Sequence, residues 1–240
     1  MAQTPKWQYQ KSQELKYARQ LRKVAEHSGA IVNAHIDDNG ELEDIEEMMK
    51  SAELYSQALT PWANRVAAAM INNVAKTNAK YWQDYANKIS MRIRELLNTS
   101  RIAPTIAQLQ LRQVVLIKSL PTEAALRAKN LSAEAVVGGQ RADEIAAMLQ
   151  DTTGVTKSRA NLIARTEIAN TNANITQARA GLVGANQYIW RTMEDGAVRP
   201  SHAEMEGQVF RFDDPPEVEG EGNHGPGEYP NCRCYAELVI

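Results

Sequence analysis

Four side chains near the C-terminal end have the chemistry to hold a metal ion. The stretch "NHGPGEYPNCRCYAELVI" (223–240) contains both cysteines of the chain, Cys232 and Cys234, and His224 eight residues before the first of them. His202 lies a little upstream, so four soft or borderline donors fall within 33 residues. Zinc takes tetrahedral nitrogen and sulfur donors, and Zn–S bonds near 2.3 Å bring two thiolates to about 3.8 Å. That approach needs the backbone to turn at Arg233, with the regular strand starting later. The competing reading is a strand from residue 232 onward. Cys232, Cys234, Ala236, Leu238 and Ile240 then share one face, and the thiols are small hydrophobes in a β core. Such a strand separates their Cα atoms by roughly 6.5–7 Å. A disulfide, with Cβ atoms within ~4.5 Å, is the weakest of the three readings.

Other constellations carry less. Ser201 adjoins His202, but a nucleophile needs its base across space and a third group to orient it. Asn223-His224 lacks the surrounding metal finger of a His-Asn-His nuclease. Asp213-Asp214 sits beside prolines. Gly220, Gly222, Gly225 and Gly227 lie in an acidic segment that repels phosphate. The segment "LQDTTGVTKSRANLI" (149–163) could form a Gly-containing hairpin between helices. Its backbone amides, with Lys157 and Arg159, would then be DNA contacts.

The chain has 240 residues, 43% of them apolar and 23% charged, with a net charge of −2. That balance supports a buried core and excludes a globally basic nucleic-acid binder. Charge is nevertheless segregated. Residues 1–24 hold six Lys/Arg against Glu14, and 65–101 hold seven against two acids. Residues 37–47 hold seven acids and no base, and 194–228 hold ten acids against Arg199 and Arg211. No apolar leader and no run of the ~20 residues a membrane span needs is evident, so a soluble protein made in a cytoplasm is expected.

The elements positioning these residues are mostly helices. Leu15, Ala18, Leu21 and Ala25 recur at helical spacing within 1–30. Helices are predicted over 42–58 and from Thr60-Pro61 to residue 97, with Thr60 as cap. Ala67, Met70, Ile71, Val74, Tyr81, Tyr85, Ile89 and Ile93 form the stripe of the second. Pro104 opens one helix to Ser119, and Pro121 opens another to 137, ended by Gly138-Gly139. A short helix follows over 141–150. A long one over 157–181 is capped by Thr156, with Ala164, Ile168, Thr171, Ile175, Ala178 and Leu182 on one side. Then "QYIWRT" and "QVFRF" read as strands, with a helical turn closed by Gly207 between them. "DDPPEVEGEGNHGPGE" reads as a loop unable to bury itself, and "CRCYAELVI" as the third strand. The fold class is mainly α, with a small C-terminal α+β module: long helices followed by a short three-stranded antiparallel sheet.

One ordered set of motifs resembles a known family. "SRANLIARTEIANTNANITQAR" (158–179), "YIWRT", "DGAVRPSHAEMEGQVF", "DDPP", "HGPGE" and "NCRC" follow one another as in the Mu F-like head morphogenesis domain of phage minor capsid proteins. The resemblance implies a helical docking region over 1–102 and the family domain over 103–240, with its β module at about 186–240. It implies a structural protein, not an enzyme, in procapsid assembly near the portal and the packaged double-stranded DNA. Partners would be portal, scaffold or major capsid protein. Its location would be the host cytoplasm during assembly, then the virion. Many family members place Cys-x-x-Cys where Arg199 and His202 stand. Arg199 removes one sulfur here and leaves His202, His224, Cys232 and Cys234 as the set for one structural zinc. Arg165, Glu167, Trp190 and Gly207 fall in the shared motifs. The first two are expected to fix the long helix against the terminal sheet. The alternatives are an internal virion protein travelling with the genome, or a zinc hydrolase or toxin-related domain.

Overall fold

The computed structural model describes residues 9–89, 99–138 and 142–239. Helix α1 spans Lys11–Asn33, α2 Ile45–Ala58 and α3 Thr60–Ile89. A 3-10 turn (Thr99–Ile102) leads into α4 (Ala103–Gly138), α5 (Ala142–Gln150) and α6 (Thr152–Val183). The closing module holds β1 (Gln187–Arg191), α7 (Pro200–Glu204), β2 (Val209–Arg211), β3 (Glu217–Val218), β4 (Gly222–Asn223) and β5 (Tyr235–Val239). None of the described helices is long and apolar enough to cross a membrane. The end of the stripe expected up to residue 97, Gly139 and the first residues of the N-terminal arm lie outside the described residues.

The chain forms two compact units that interleave in sequence. The first takes residues 1–14, 68–110 and 165–240, and the second takes 15–67 and 111–164. In the second unit, Val32, Met48, Ala52, Ala125, Ala128 and Leu149 make a buried cluster. Tyr17 donates to Gln113 Oε1 at 2.9 Å.

Two helix boundaries and one cap depart from the sequence reading. Pro121 begins no new helix: α4 runs through it as one 36-residue helix. Ile117, Leu120, Ala124, Ala125 and Ala128 are buried on both sides of the proline. That packing outweighs the backbone bond a proline removes. Helix α6 starts at Thr152, so the segment from "DTTGVT" onward is helix and the expected DNA-binding hairpin is not formed. Asp151, a favoured residue before a helix, accepts the Val155 amide on its carbonyl at 3.0 Å. Thr156 is therefore internal and donates to Thr152 O at 2.7 Å. Thr60 likewise donates back to Gln57 O at 2.8 Å.

In the first unit, α6 is buried on more than the side its small residues mark. Asn172, Thr176 and Arg179 are buried as well as Ile168, Thr171 and Ile175. Asn78 on α3 donates to Asn172 Oδ1 at 2.7 Å and to Thr176 Oγ1 at 2.8 Å. It also accepts from Arg179 Nη1. A helix polar at these positions can still be interior when most of its buried polar atoms find partners.

The sheet has the order β2-β1-β5, antiparallel throughout. Trp190 stands opposite Ala236, and Tyr188 lies between Phe210 and Leu238. The acidic loop read as unburied instead folds a two-stranded hairpin, β3-β4, with Val218 fully buried.

Gly29 in α1 and Thr153 in α6 approach so closely that a Cβ on Gly29 would fall 1.8 Å from Thr153 Oγ1. Gly29→Ala is expected to destabilise the protein by about 1–3 kcal/mol in urea unfolding. Gly181→Ala, with nothing within 4 Å of the added carbon, should be neutral or stabilise by up to about 1 kcal/mol. Equal unfolding curves for both variants would remove this account of helix packing.

Candidate functional site: a buried histidine–cysteine centre

Strand β1 alternates, and its buried residues Tyr188 and Trp190 point into one cluster with Val218, Cys232, Cys234 and Ala236. The chain leaves β1, makes α7 and returns at Gly207, whose φ of +77° suits glycine. The Gly207 amide donates to Trp190 O at 2.9 Å, and the Trp190 amide donates to Gln208 O at 2.9 Å. Pro200 sits at the first helical position of α7, which suits its missing N–H. This short helix directs His202 into the module, where it is 1% exposed. Its ring meets Trp190 edge-on at 5.4 Å.

Both imidazole nitrogens are occupied. Nδ1 lies 3.4 Å from Cys232 Sγ and 3.6 Å from Cys234 Sγ. Nε2 lies 2.7 Å from Glu221 Oε2. The β3-β4 hairpin carries Glu221 at its tip, between Gly220 (φ +73°) and Gly222 (φ +81°). The same carboxylate oxygen lies 3.0 Å from His224 Nε2, and its other oxygen lies 3.3 Å from Arg199 Nε. His224 Nδ1 faces the Gly225 carbonyl at 3.0 Å.

The cysteines do not sit on a regular strand. Tyr229 O accepts the Cys232 amide at 3.0 Å, Asn231 adopts φ +61°, and β5 begins only at Tyr235. This turn carries both sulfurs to the same imidazole nitrogen. They are free thiols, both buried. Asn231 donates its amide to Thr166 Oγ1 on α6 at 3.1 Å. Gly227 (φ +88°) donates its amide to Cys232 Sγ at 3.3 Å. Arg233 forks onto Asp195 at 2.7 and 2.8 Å.

Electrostatics follow from burial and these contacts. The Cys232 thiol is held far below its ordinary value, first by the hydrogen bond from Cys234 and then by His202. Cys234 moves the opposite way, because it keeps the proton the two sulfurs share. Burial opposes a charge on His202, but Cys232 and Glu221 outweigh it and hold its pKa up. Burial opposes ionisation of Glu221 too, and His202 and His224 overcome it.

Of the four expected donors, the structure brings His202, Cys232 and Cys234 together, with donor atoms within 4.8 Å of one another. His224 lies on the far side of the His202 ring, in a second group with Glu221. Glu221 was missed in sequence because it stood among many acids in an apparent loop. Lys157 pairs with Glu26 at 3.1 Å, and Arg159 with Glu123 at 3.1 Å. Arg165 pairs with Glu14 on α1 at 3.5 Å, not with the terminal sheet. Glu167 is buried, and Trp190, like Tyr188, is a fully buried aromatic of the module. Helix α6 meets the module at Thr166 and Ala169 and, further along, at Gln177 and Ala180.

Cys232, His202 and Glu221 have the order of a nucleophile, a base and its orienting carboxylate. Cys232 is only 2% exposed, however. The adjoining cleft, lined by Arg199, His202, Asn231, Cys232, Arg233 and Cys234 among others, measures about 10 Å³. That is space for one water or one ion.

A helical body closed by a small sheet around a histidine–cysteine centre is the class these features define. The family described as Phage Mu protein F like protein matches residues 128–237 of the chain. That stretch contains α6 and nearly all of the closing module. A protein of Haemophilus influenzae, described as an uncharacterized protein, is 32% identical over 196 residues. The alignment covers 80% of this chain and 43% of that relative, so the chain spans less than half the relative's length. No solved structure matches the chain.

Two outcomes are expected from the module. A Cβ on Gly227 would lie 3.0 Å from Cys234 O and 3.3 Å from Ala169 O, at a positive φ. Gly227→Ala should cost about 3 kcal/mol in chemical unfolding, from clash and backbone strain together. Burial raises the Glu206 pKa, but the Thr192 amide and hydroxyl and the Arg191 guanidinium lower it further, leaving it below the ordinary 4.5. Its contribution is therefore complete above that value and lost as pH falls through the folded pKa. Wild type should lose more stability on acidification than Glu206→Gln does, and parallel curves would contradict the assignment.

Proposed function

We propose that this chain is a minor capsid protein of a tailed bacteriophage and acts in head morphogenesis. The observation that carries this reading is the Mu F-like match over residues 128–237, spanning α6 and the closing module. The helical N-terminal region docks on portal, scaffold or major capsid protein, close to the packaged DNA. The closing module is a structural unit. Its thiols are buried beside a cleft with space for one water or one ion, which supports a role in assembly over chemistry on a substrate. The protein is present in the host cytoplasm during assembly and in the virion afterwards.

A genome-bound role draws less support. Lys157 and Arg159, the cations it would use, are partnered by Glu26 and Glu123, and the hairpin between them and α5 is helix. Binding that steepens as salt is lowered would favour that second role.

Mass spectrometry of purified procapsids and virions is expected to detect the chain in both, at low copy number relative to the major capsid protein. Its absence from both particles would overturn the proposal.

A further inference from the structure

We propose that Cys232 Sγ, Cys234 Sγ and His202 Nδ1 form a site for a thiophilic divalent metal ion of the zinc class, with Glu221 orienting the histidine and His224 outside the ligand set. The site stands on geometry and does not depend on the function proposed above.

Distances select this donor group over its neighbour. In tetrahedral coordination, Zn–S near 2.3 Å and Zn–N near 2.0–2.1 Å set sulfur and nitrogen about 3.5 Å apart. The observed separations are 3.4 and 3.6 Å. The other group, His202 Nε2, Glu221 Oε2 and His224 Nε2, has adjacent donors at 2.7 and 3.0 Å. Oxygen and nitrogen on one such ion lie about 3.4 Å apart, so these are direct hydrogen bonds.

The surroundings match what a metal-binding histidine requires. Such a residue usually donates its other ring N–H to a carboxylate, which fixes the tautomer. Glu221 takes Nε2 in this way, leaving the Nδ1 lone pair toward the two sulfurs. Without an ion, one ring nitrogen faces two sulfurs and can make a good hydrogen bond with only one of them. The Gly227 amide donates to Cys232 Sγ, as expected around a metal thiolate. The adjoining cleft of about 10 Å³ leaves space for one small ligand at a fourth position. Arg199 cannot supply that ligand. Its guanidinium is engaged by Glu221 and by the Pro230 carbonyl at 2.7 Å.

The test uses the full chain, purified without chelator, and metal analysis by mass spectrometry. About one zinc per chain is expected, at the stoichiometry of a single site. Cys232→Ser, Cys234→Ser and His202→Ala should each lose it, and His224→Ala should retain it. Because some variants could misfold, the wild-type protein is also stripped of metal and titrated with Co²⁺. A sulfur-to-cobalt charge-transfer band saturating at one equivalent, displaced by Zn²⁺, is the expected result. The proposal is overturned if native protein holds no metal and the stripped protein binds neither ion. It is equally overturned if His224→Ala loses the metal while a folded Cys234→Ser keeps it.

Discussion

A buried imidazole must have a partner on each nitrogen, and the closing module is arranged around meeting that demand for His202. An unpaired buried polar atom costs about 1–3 kcal/mol, a large share of a small domain's stability. The partners come from three separate pieces of chain: α7 carries the ring, the β3-β4 tip carries Glu221, and the turn before β5 carries both sulfurs. Special backbone positions follow from that convergence. Gly220 and Gly222 let the hairpin present Glu221, while Asn231 and Gly227 bend the chain so that Cys232 and Cys234 face one atom. The tight strand that simple alternation would draw through 232–240 is sacrificed at its first three residues.

The helical part of the same unit meets a comparable demand with other chemistry. Arg179 is fully buried, and its guanidinium bonds to the Asn78 amide oxygen and to the Ala75 carbonyl at 3.5 Å, while Nε has no partner. Burial lowers its pKa to about 10. Neutral oxygens solvate a guanidinium less well than a carboxylate does, so this charge is tolerated more than rewarded. What it provides is register. Asn78 reaches Asn172, Thr176 and Arg179 together only when α3 and α6 are in one axial alignment.

How much of this was readable in the sequence depends on the range of the cause. Period-2 alternation found β1 and β2, and the proline and glycine at Pro200 and Gly207 found α7, because those signals are local. The cysteine–histidine grouping was visible as donor types, and a late strand start follows from how closely two sulfurs must approach, although the turn falls at Asn231 and not at Arg233. Pro121 misled because burial of Leu120, Ala124 and Ala125 by distant chain decides whether α4 continues. Thr156 misled because Asp151, five residues earlier, was the better start for α6. Glu221 was hidden for a different reason: one acid among ten gains its meaning only from the two histidines folded against it. Arg165 was assigned the right kind of contact and the wrong partner. Its neighbour Thr166 meets the module.

The centre is also mechanically connected to the helices. Along β5 one face passes from Cys234 and Ala236, in the cluster with Trp190, to Leu238, which packs with Trp82 on α3 and Ala180 on α6. Phe212 touches both clusters. The module of some fifty residues has strands of two to five residues, and a unit that small buries a smaller share of its surface than a larger domain does. It borrows the helices at one end of β5, and at the other it relies on polar groups that tolerate only one arrangement. Loosening the sulfur–imidazole contacts would free the turn at Asn231, then the start of β5, then the Leu238 anchor. The His202 centre and the Leu238 anchor thus sit at opposite ends of one strand, although no atom of the centre belongs to α3 or α6.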